Sequence, residues 1–252
     1  MGRTVTAGLR QSVARAEHAE GQLSRVAQLR AMPAARLAEL FADHAASAPW
    51  VAAAAACGIA AAQVRLGRML LEGEGVAHDE PAALRWFLKA ARAGHADAQN
   101  MVGRGYELGW GGDVDFAEAA RWYARAAASG HAWGEYNYAN MLFDGRGVAP
   151  DRAMAVEYYT RAARQGHARA MNLLGRCSEE GWGTARNAAA AAHWYRQSAQ
   201  RGYFRAQLNH AIELLRQGQA ADAAAWLQRA RAEADDAMRN RIDMLVARIR
   251  LA

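Results

Sequence analysis

The sequence predicts an all-α fold, an α-α solenoid (superhelix) of stacked antiparallel helix pairs, from three observations. About a quarter of the 252 residues are alanine and only 4 are proline, a composition that favours helices over an all-β fold. Large aromatic residues and glycines recur at a fixed spacing of 36 residues, and a period between about 20 and 50 marks a repeat architecture. Within each period, two apolar stripes at helical spacing are divided by glycine turns. A chain of this length buries a core without disulfide or metal staples.

The period appears in several columns without gaps. Trp86, Trp122, Tyr158 and Trp194 form one, and Gly94, Gly130, Gly166 and Gly202 another. The same offset relates Gly73, Gly109, Gly145 and Gly181, then Gly75, Gly111, Gly147 and Gly183, and then Asp79, Asp115, Asp151 and Asn187.

Each element follows from its residues. Helix A of the first clear unit, near 60–72, sets Ala62, Leu66, Gly67 and Leu70 on one stripe, and Gly73 and Gly75 break it. Asp79 suits an N-cap, because its carboxylate accepts from amides exposed in the first turn. Helix B then carries Ala83, Trp86, Phe87, Ala90 and Ala91, and Gly94 supplies a left-handed stop. Small residues at 62, 67, 83 and 90 and their repeats let helices approach, and the aromatic columns at 86 and 87 provide bulk between them.

The ends depart from the pattern in order. Leu23 to His44 is helical in composition but lacks the glycine columns, and Trp50 and Gly58 put residues 48–58 on the grid as a second helix. Residues 1–59 therefore read as an N-terminal helical cap with a degenerate leading half-repeat, and 60–203 as four full repeats. Trp226 follows Trp194 by only 32 residues, so 204–252 read as a fifth repeat with a shortened loop at Gly218, closed by a capping helix from Asp236 to Leu251.

These residues resemble the Sel-one-like repeat (SLR) family, a relative of the tetratricopeptide repeats. The resemblance rests on LGRMLLEGEGVAHDEPAALRWFLKAARAGHADAQ from Leu66 to Gln99, and on GRGVAPDRAMAVEYYTRAARQGHARA from Gly145 to Ala170. It covers roughly residues 60–203. It implies a protein-protein interaction scaffold of the adaptor kind found in bacterial signalling and assembly, with helix A lining a concave binding surface.

Chemistry-bearing motifs are sparse. His95, His131 and His167 occupy equivalent turns; neighbouring helices lie about 8–10 Å apart, so one zinc ion cannot gather three nitrogens at about 2.1 Å. They read as turn and cap residues, and no metal or other cofactor is expected. The glycine pairs follow helices and lack the Lys-Ser/Thr of a phosphate loop. No nucleophile motif occurs, so no catalytic residue is assigned and no enzyme activity is expected. Cys57 and Cys177 are expected to be buried free thiols.

The longest apolar run, Trp50 to Cys57, is far short of the roughly 20 residues that span a bilayer. Met1 to Glu20 offers no apolar signal-peptide core, so a cytoplasmic protein without membrane partner is expected. The opening MGRTVT fits the short pattern for Gly2 myristoylation, which chance often matches. The net charge of +6 raises nucleic acid as an alternative partner, yet residues 1–59 and 229–252 each carry six Arg against four acids, so neither end is a basic arm.

The binding surface is placed by register. With Leu66 and Gly67 packed inward, positions 61, 64, 65, 68 and 72 are expected to project outward. The 64/68 pair recurs as Asn100/Arg104, Tyr136/Asn140 and Asn172/Arg176. An Asn and Arg four apart point the same way, and a guanidinium grips a carboxylate bidentately. Tyr136 and Trp133 are expected to add apolar contact, so the candidate surface is Asn100, Arg104, Trp133, Tyr136, Asn140, Asn172 and Arg176. The expected partner is a protein or peptide held through a carboxylate; the alternatives are a nucleic-acid-binding solenoid or a regulatory subunit of a neighbouring enzyme. Trp110 and Trp182, in the GWG loops, are expected to pack over helix ends.

Overall fold

The computed structural model describes residues 20–251. The Gly2 motif lies outside them. Every regular element among the described residues is helical. Helix α1 (20–31), α2 (Ala34–Ala42) and α3 (His44–Ala56) precede the regular repeats. The A helices are α4 (Ala60–Glu72), α6 (Ala96–Leu108), α8 (Ala132–Asp144), α10 (Ala168–Glu180) and α12 (Phe204–Arg216). The B helices are α5 (Glu80–Arg92), α7 (Phe116–Ala128), α9 (Arg152–Arg164), α11 (Ala188–Gln200) and α13 (Ala220–Glu233), and α14 (Asp236–Leu251) follows. The chain divides between Trp122 and Tyr123 into two compact units.

Most of the A and B helices start on a side-chain cap, and α4, α12 and α13 start without one. Asp79, Asp151 and Asn187 accept from the backbone N–H three residues on at 2.8–2.9 Å, opening α5, α9 and α11. Asp115 does so at 2.9 Å for α7. His95, His131 and His167 play the same part for the A helices, each Nδ1 accepting from the N–H of residue +3 at 3.4, 3.1 and 3.2 Å. Such caps contribute about 1 kcal/mol each for Asp and Asn.

Packing in each unit centres on the second aromatic column. In the first unit Phe87 is completely buried, and its ring lies where a Cβ on Gly67 of α4 would stand. In the second unit Tyr195 of α11 sits on Gly175 of α10 in the same way, and Tyr159 of α9 shares a core cluster with Ala139 of α8. Burying one such ring stabilises by roughly 1.5–3 kcal/mol. Apart from the buried Trp122, the first column is more peripheral than the sequence reading expects. Trp86, Tyr158 and Trp194 are half-buried, because their helix face turns toward the edge of the stack. Cations one turn on cover two of them: Lys89 Nζ lies 3.8 Å from the Trp86 ring centre, and the Arg161 guanidinium 5.0 Å from that of Tyr158.

The A-to-B loop also reaches back to the preceding B helix. Gly183 (φ +68°) passes so close to Arg152, the first residue of α9, that a Cβ would overlap the Arg152 carbonyl. Only glycine combines that left-handed backbone with that contact. Cys57 departs from expectation: it is exposed, because it occupies the C-cap of α3 where the chain turns away at Gly58, while Cys177 is buried.

A polar contact seals three of the turns between repeats. Gln63 donates to the Ala55 carbonyl at 3.1 Å, and Gln99 to the Ala91 carbonyl at 3.4 Å, closing the end of a preceding B helix. In the second unit the equivalent residue is Glu135, whose carboxylate cannot donate and whose side chain is only 2% exposed. Arg161 resolves this. Its Nε pairs with Glu135 Oε1 at 2.8 Å while its Nη2 donates to the Ala127 carbonyl at 3.3 Å, and Gln165 donates to Glu135 Oε2 at 2.7 Å. Arg161→Ala should cost about 2–3 kcal/mol, below the full penalty of a broken buried pair because Arg161 is half-exposed. Glu135→Gln in that background should recover most of the loss in urea denaturation, since glutamine restores the donor found at Gln63; a double variant no more stable than Arg161→Ala would contradict the assignment.

Candidate partner-binding site

The A helices set the candidate residues in two columns with different fates. The column of Asn100 and Asn172 does not project into solvent as expected. Asn100 is 5% and Asn172 6% exposed, and Val64 and Leu208 in the same column are buried as well. The adjacent A helix covers this face: Asn172 Oδ1 accepts from Asn209 Nδ2 of α12 at 2.9 Å, an inter-repeat strut. Tyr136, in this column on α8, is half-buried.

The column one turn on is open. Arg104 in the first unit and Arg176 in the second are both exposed, and each lies over the tryptophan of its own GWG loop, at 5.8 Å from Trp110 and 5.1 Å from Trp182. The loop tryptophans therefore pack as expected. Trp110 is buried 6.3 Å from Phe87, and Trp182 meets Phe143 edge-on at 5.6 Å. They also hold the arginines in a defined orientation, a contact worth about 0.5–1 kcal/mol at an exposed site. In the intervening repeat the Arg and Trp positions are Asn140 and Arg146. Asn140 turns to the core, its Oδ1 accepting from the Tyr159 hydroxyl at 2.7 Å. Burial pushes that phenol well above its ordinary range.

Trp133 and Tyr136, named from the sequence, form an aromatic wedge with the cap residue His167, a junction that sequence reasoning missed. Tyr136 stacks on His167 at 4.5 Å between ring centres, and Trp133 meets His167 edge-on at 4.3 Å and Tyr136 at 5.9 Å. Trp133 itself is 45% exposed, and the Arg169 guanidinium lies 5.5 Å from its ring centre. Since His167 Nδ1 accepts from the Ala170 N–H, the proton sits on Nε2, which is buried without a partner. Burial, then the Arg169 charge, lower the His167 pKa to about 4. The second unit thus brings together Trp133, Tyr136, Asn140, Asn172 and Arg176, whereas Asn100 and Arg104 belong to the first.

Reactive chemistry finds no footing on this surface. Burial raises the Cys177 thiol to about 11, the opposite of an activated nucleophile. Among the described residues no three His, Cys, Asp or Glu gather as a metal site, and no helix is long and apolar enough to cross a membrane.

A family model described as Sel1 repeat matches residues 60–95, 96–131, 134–167 and 168–203. The chain belongs to the Sel1 repeat family. Among solved structures, this Sel1 repeat protein is similar to the protective antigen c5321 of uropathogenic Escherichia coli strains, which displays an SLR fold. The two share 33% identity over 77% of this chain, at a TM-score of 0.70, and the match spans only 42% of the antigen. It is also similar to a Sel1 repeat protein from Oxalobacter formigenes, at 30% identity and TM-score 0.65, over 71% of this chain and 76% of that one. The immunity protein Pa5087 from Pseudomonas aeruginosa shares the fold at 19% identity and TM-score 0.50, over 68% of this chain and 64% of that one. No curated protein matches the chain.

The wedge predicts a pH dependence of stability. Between the ordinary value of 6.5 and about 4, unfolded chains bind a proton at His167 that folded chains do not. This contribution is therefore fully present above pH 6.5 and lost as pH falls toward 4, by up to about 3 kcal/mol. His167→Asn keeps an N-cap without titrating, so the stability difference between pH 7 and pH 4.5 by urea denaturation should shrink; an unchanged difference would remove His167 as its source.

Proposed function

We propose that this Sel1 repeat protein is a non-catalytic scaffold that docks a peptide or protein segment on its helix-A face. In the second unit Trp133, Tyr136 and Arg176 make the contact, with Asn140 turned to Tyr159 and Asn172 beneath them setting the spacing of α10 and α12. In the first unit Arg104, with Asn100 beneath it, is the equivalent. The observation that carries the reading is the pairing of an exposed helix-A arginine with a loop tryptophan at Arg104/Trp110 and Arg176/Trp182. A guanidinium held this way is preorganised for a carboxylate, and a half-exposed Trp133 supplies the apolar contact a charge lacks.

The reading treats residues 1–59 and 204–252 as the capping segments of an array at 60–203, and places the protein in the cytoplasm. Free Cys57 on the surface suits a reducing compartment. A nucleic-acid role has less support, because many arginines are already committed to acids: Arg68 to Asp97 at 2.6 Å, Arg161 to Glu135 at 2.8 Å, and Arg216 to Glu179 at 2.9 Å.

The test is co-purification from the native cell followed by titration of the recovered partner. Arg104→Ala with Arg176→Ala should weaken its affinity at least about tenfold, or 1.4 kcal/mol. Binding should survive the change from 50 to 200 mM salt that costs a phosphate-bound complex roughly 10³-fold or more. Unchanged affinity in the double variant would reject the arginines, and a steep salt dependence would favour nucleic acid.

A further inference from the structure

Within the second unit, Trp133, Arg169 and Arg205 share one column, the second residue of α8, α10 and α12. His131, His167 and Tyr203 share the N-cap column beside it. Neither α10 nor α12 carries an acid in its first turn. Both place an arginine there, against the positive pole of the helix, where a cation is disfavoured by some tenths of a kcal/mol. In the first unit the same column holds Asp97, an acid in the favoured place, paired with Arg68 at 2.6 Å. The two arginines are thus not explained by helix stability, and neither makes an ion pair with a described residue.

Their surroundings are aromatic and open. Arg169 lies 5.5 Å from the centre of the Trp133 ring, and Arg205 5.7 Å from that of Phe204, which meets Tyr203 at 5.8 Å. The Tyr203 phenol, half-buried, feels Arg205, Arg169 and Arg176 together, with no acid among the groups acting on it. Arg169 and Arg205 are both exposed at equivalent positions of α10 and α12, helices that the Asn172–Asn209 bond holds together. Beside them the buried, unpartnered Nε2 of His167 lies under the Trp133 ring system.

The spacing specifies the anion. Arg169 and Arg205 stand on adjacent A helices, about 8–10 Å apart, and Arg176 lies two turns down α10 from Arg169, about 10 Å along the axis. Carboxylates three residues apart in a polyproline II segment, which has three residues per turn, share one face about 9 Å apart. The geometry points to an acidic peptide segment of a partner protein in polyproline II conformation, with carboxylates three residues apart gripped by Arg169 and Arg205 and an apolar residue against Trp133. This rests on the scaffold reading and identifies a contact edge and partner chemistry for it. Each guanidinium takes one carboxylate bidentately, and the Tyr203 hydroxyl donates to the segment between them. A nucleic acid would need a longer line of phosphate contacts than this edge of two repeats offers.

The test uses the full chain and fluorescence anisotropy at physiological salt. The probes are a labelled twelve-residue Gly/Ser peptide with a Glu-Ala-Leu-Glu centre, its Gln-Ala-Leu-Gln and Lys-Ala-Leu-Lys counterparts, and twelve-nucleotide oligothymidylate. The Glu peptide should bind at least tenfold more tightly than the Gln peptide. Arg169→Glu with Arg205→Glu should lose the Glu peptide at least tenfold and gain the Lys peptide, while Arg169→Gln with Arg205→Gln loses the first without gaining the second. Both variants are exposed-site changes, and equal thermal midpoints by circular dichroism confirm folding; if the Glu variant fails to fold, the Gln variant decides. Equal binding of Glu and Gln peptides, insensitivity to the substitutions, or tighter binding of oligothymidylate would each overturn the inference. A native partner that depends on Arg104 and Arg176 but not on Arg169 and Arg205 would also overturn it, and would leave the scaffold reading standing.

Discussion

The helix pairs α4/α5 and α10/α11 depend on one steric fit, an aromatic ring from helix B seated on a helix-A glycine, a position that Ala139 fills beside Tyr159. Phe87 on Gly67 and Tyr195 on Gly175 leave no room for a Cβ without displacement of the ring. The fit fixes the distance between the two helices of a pair and the rotation of helix A about its axis. Everything on the outer face of helix A inherits that rotation. Interiors packed to this density are intolerant of added volume, so the column behaves as a register pin rather than as a generic apolar contact.

From the pinned register, two kinds of position follow. Those beside the next helix A become struts, as Asn172 does through Asn209, and those a turn further on remain open, as Arg176 does. The loop between helices A and B then serves both ends of the structure. Its second glycine lets the backbone lie against the preceding helix B at Arg152, and its tryptophan, where present, orients the exposed arginine. Scaffold and the proposed recognition surface are therefore built from the same few residues.

The fold was legible because its determinants are local and periodic. Asp79, Asp151 and Asn187 signal helix starts within three residues of their partners, and the glycine columns mark the turns. The site was legible only in part. Helical spacing correctly aligns Asn172 with Arg176, but the position of the neighbouring helix decides that the first is covered and the second free. Glu135 looks like a surface acid in sequence; its burial depends on Arg161 and Gln165, 26 and 30 residues away, standing in for one missing amide donor. The row of Trp133, Arg169 and Arg205 is a column of the repeat, and its proposed role rests on first turns of α10 and α12 that carry no acid.

The steric pin is tested most directly by a double-mutant cycle at Gly175 and Tyr195, measured by urea denaturation. Gly175→Val should cost about 2 kcal/mol or more by driving a side chain into the Tyr195 ring. Combined with Tyr195→Ala, which opens space for that side chain, the cost should fall short of the sum by at least about 1 kcal/mol. Two costs that add within about 0.5 kcal/mol would show that the ring and the glycine do not hold one another, and would contradict the account.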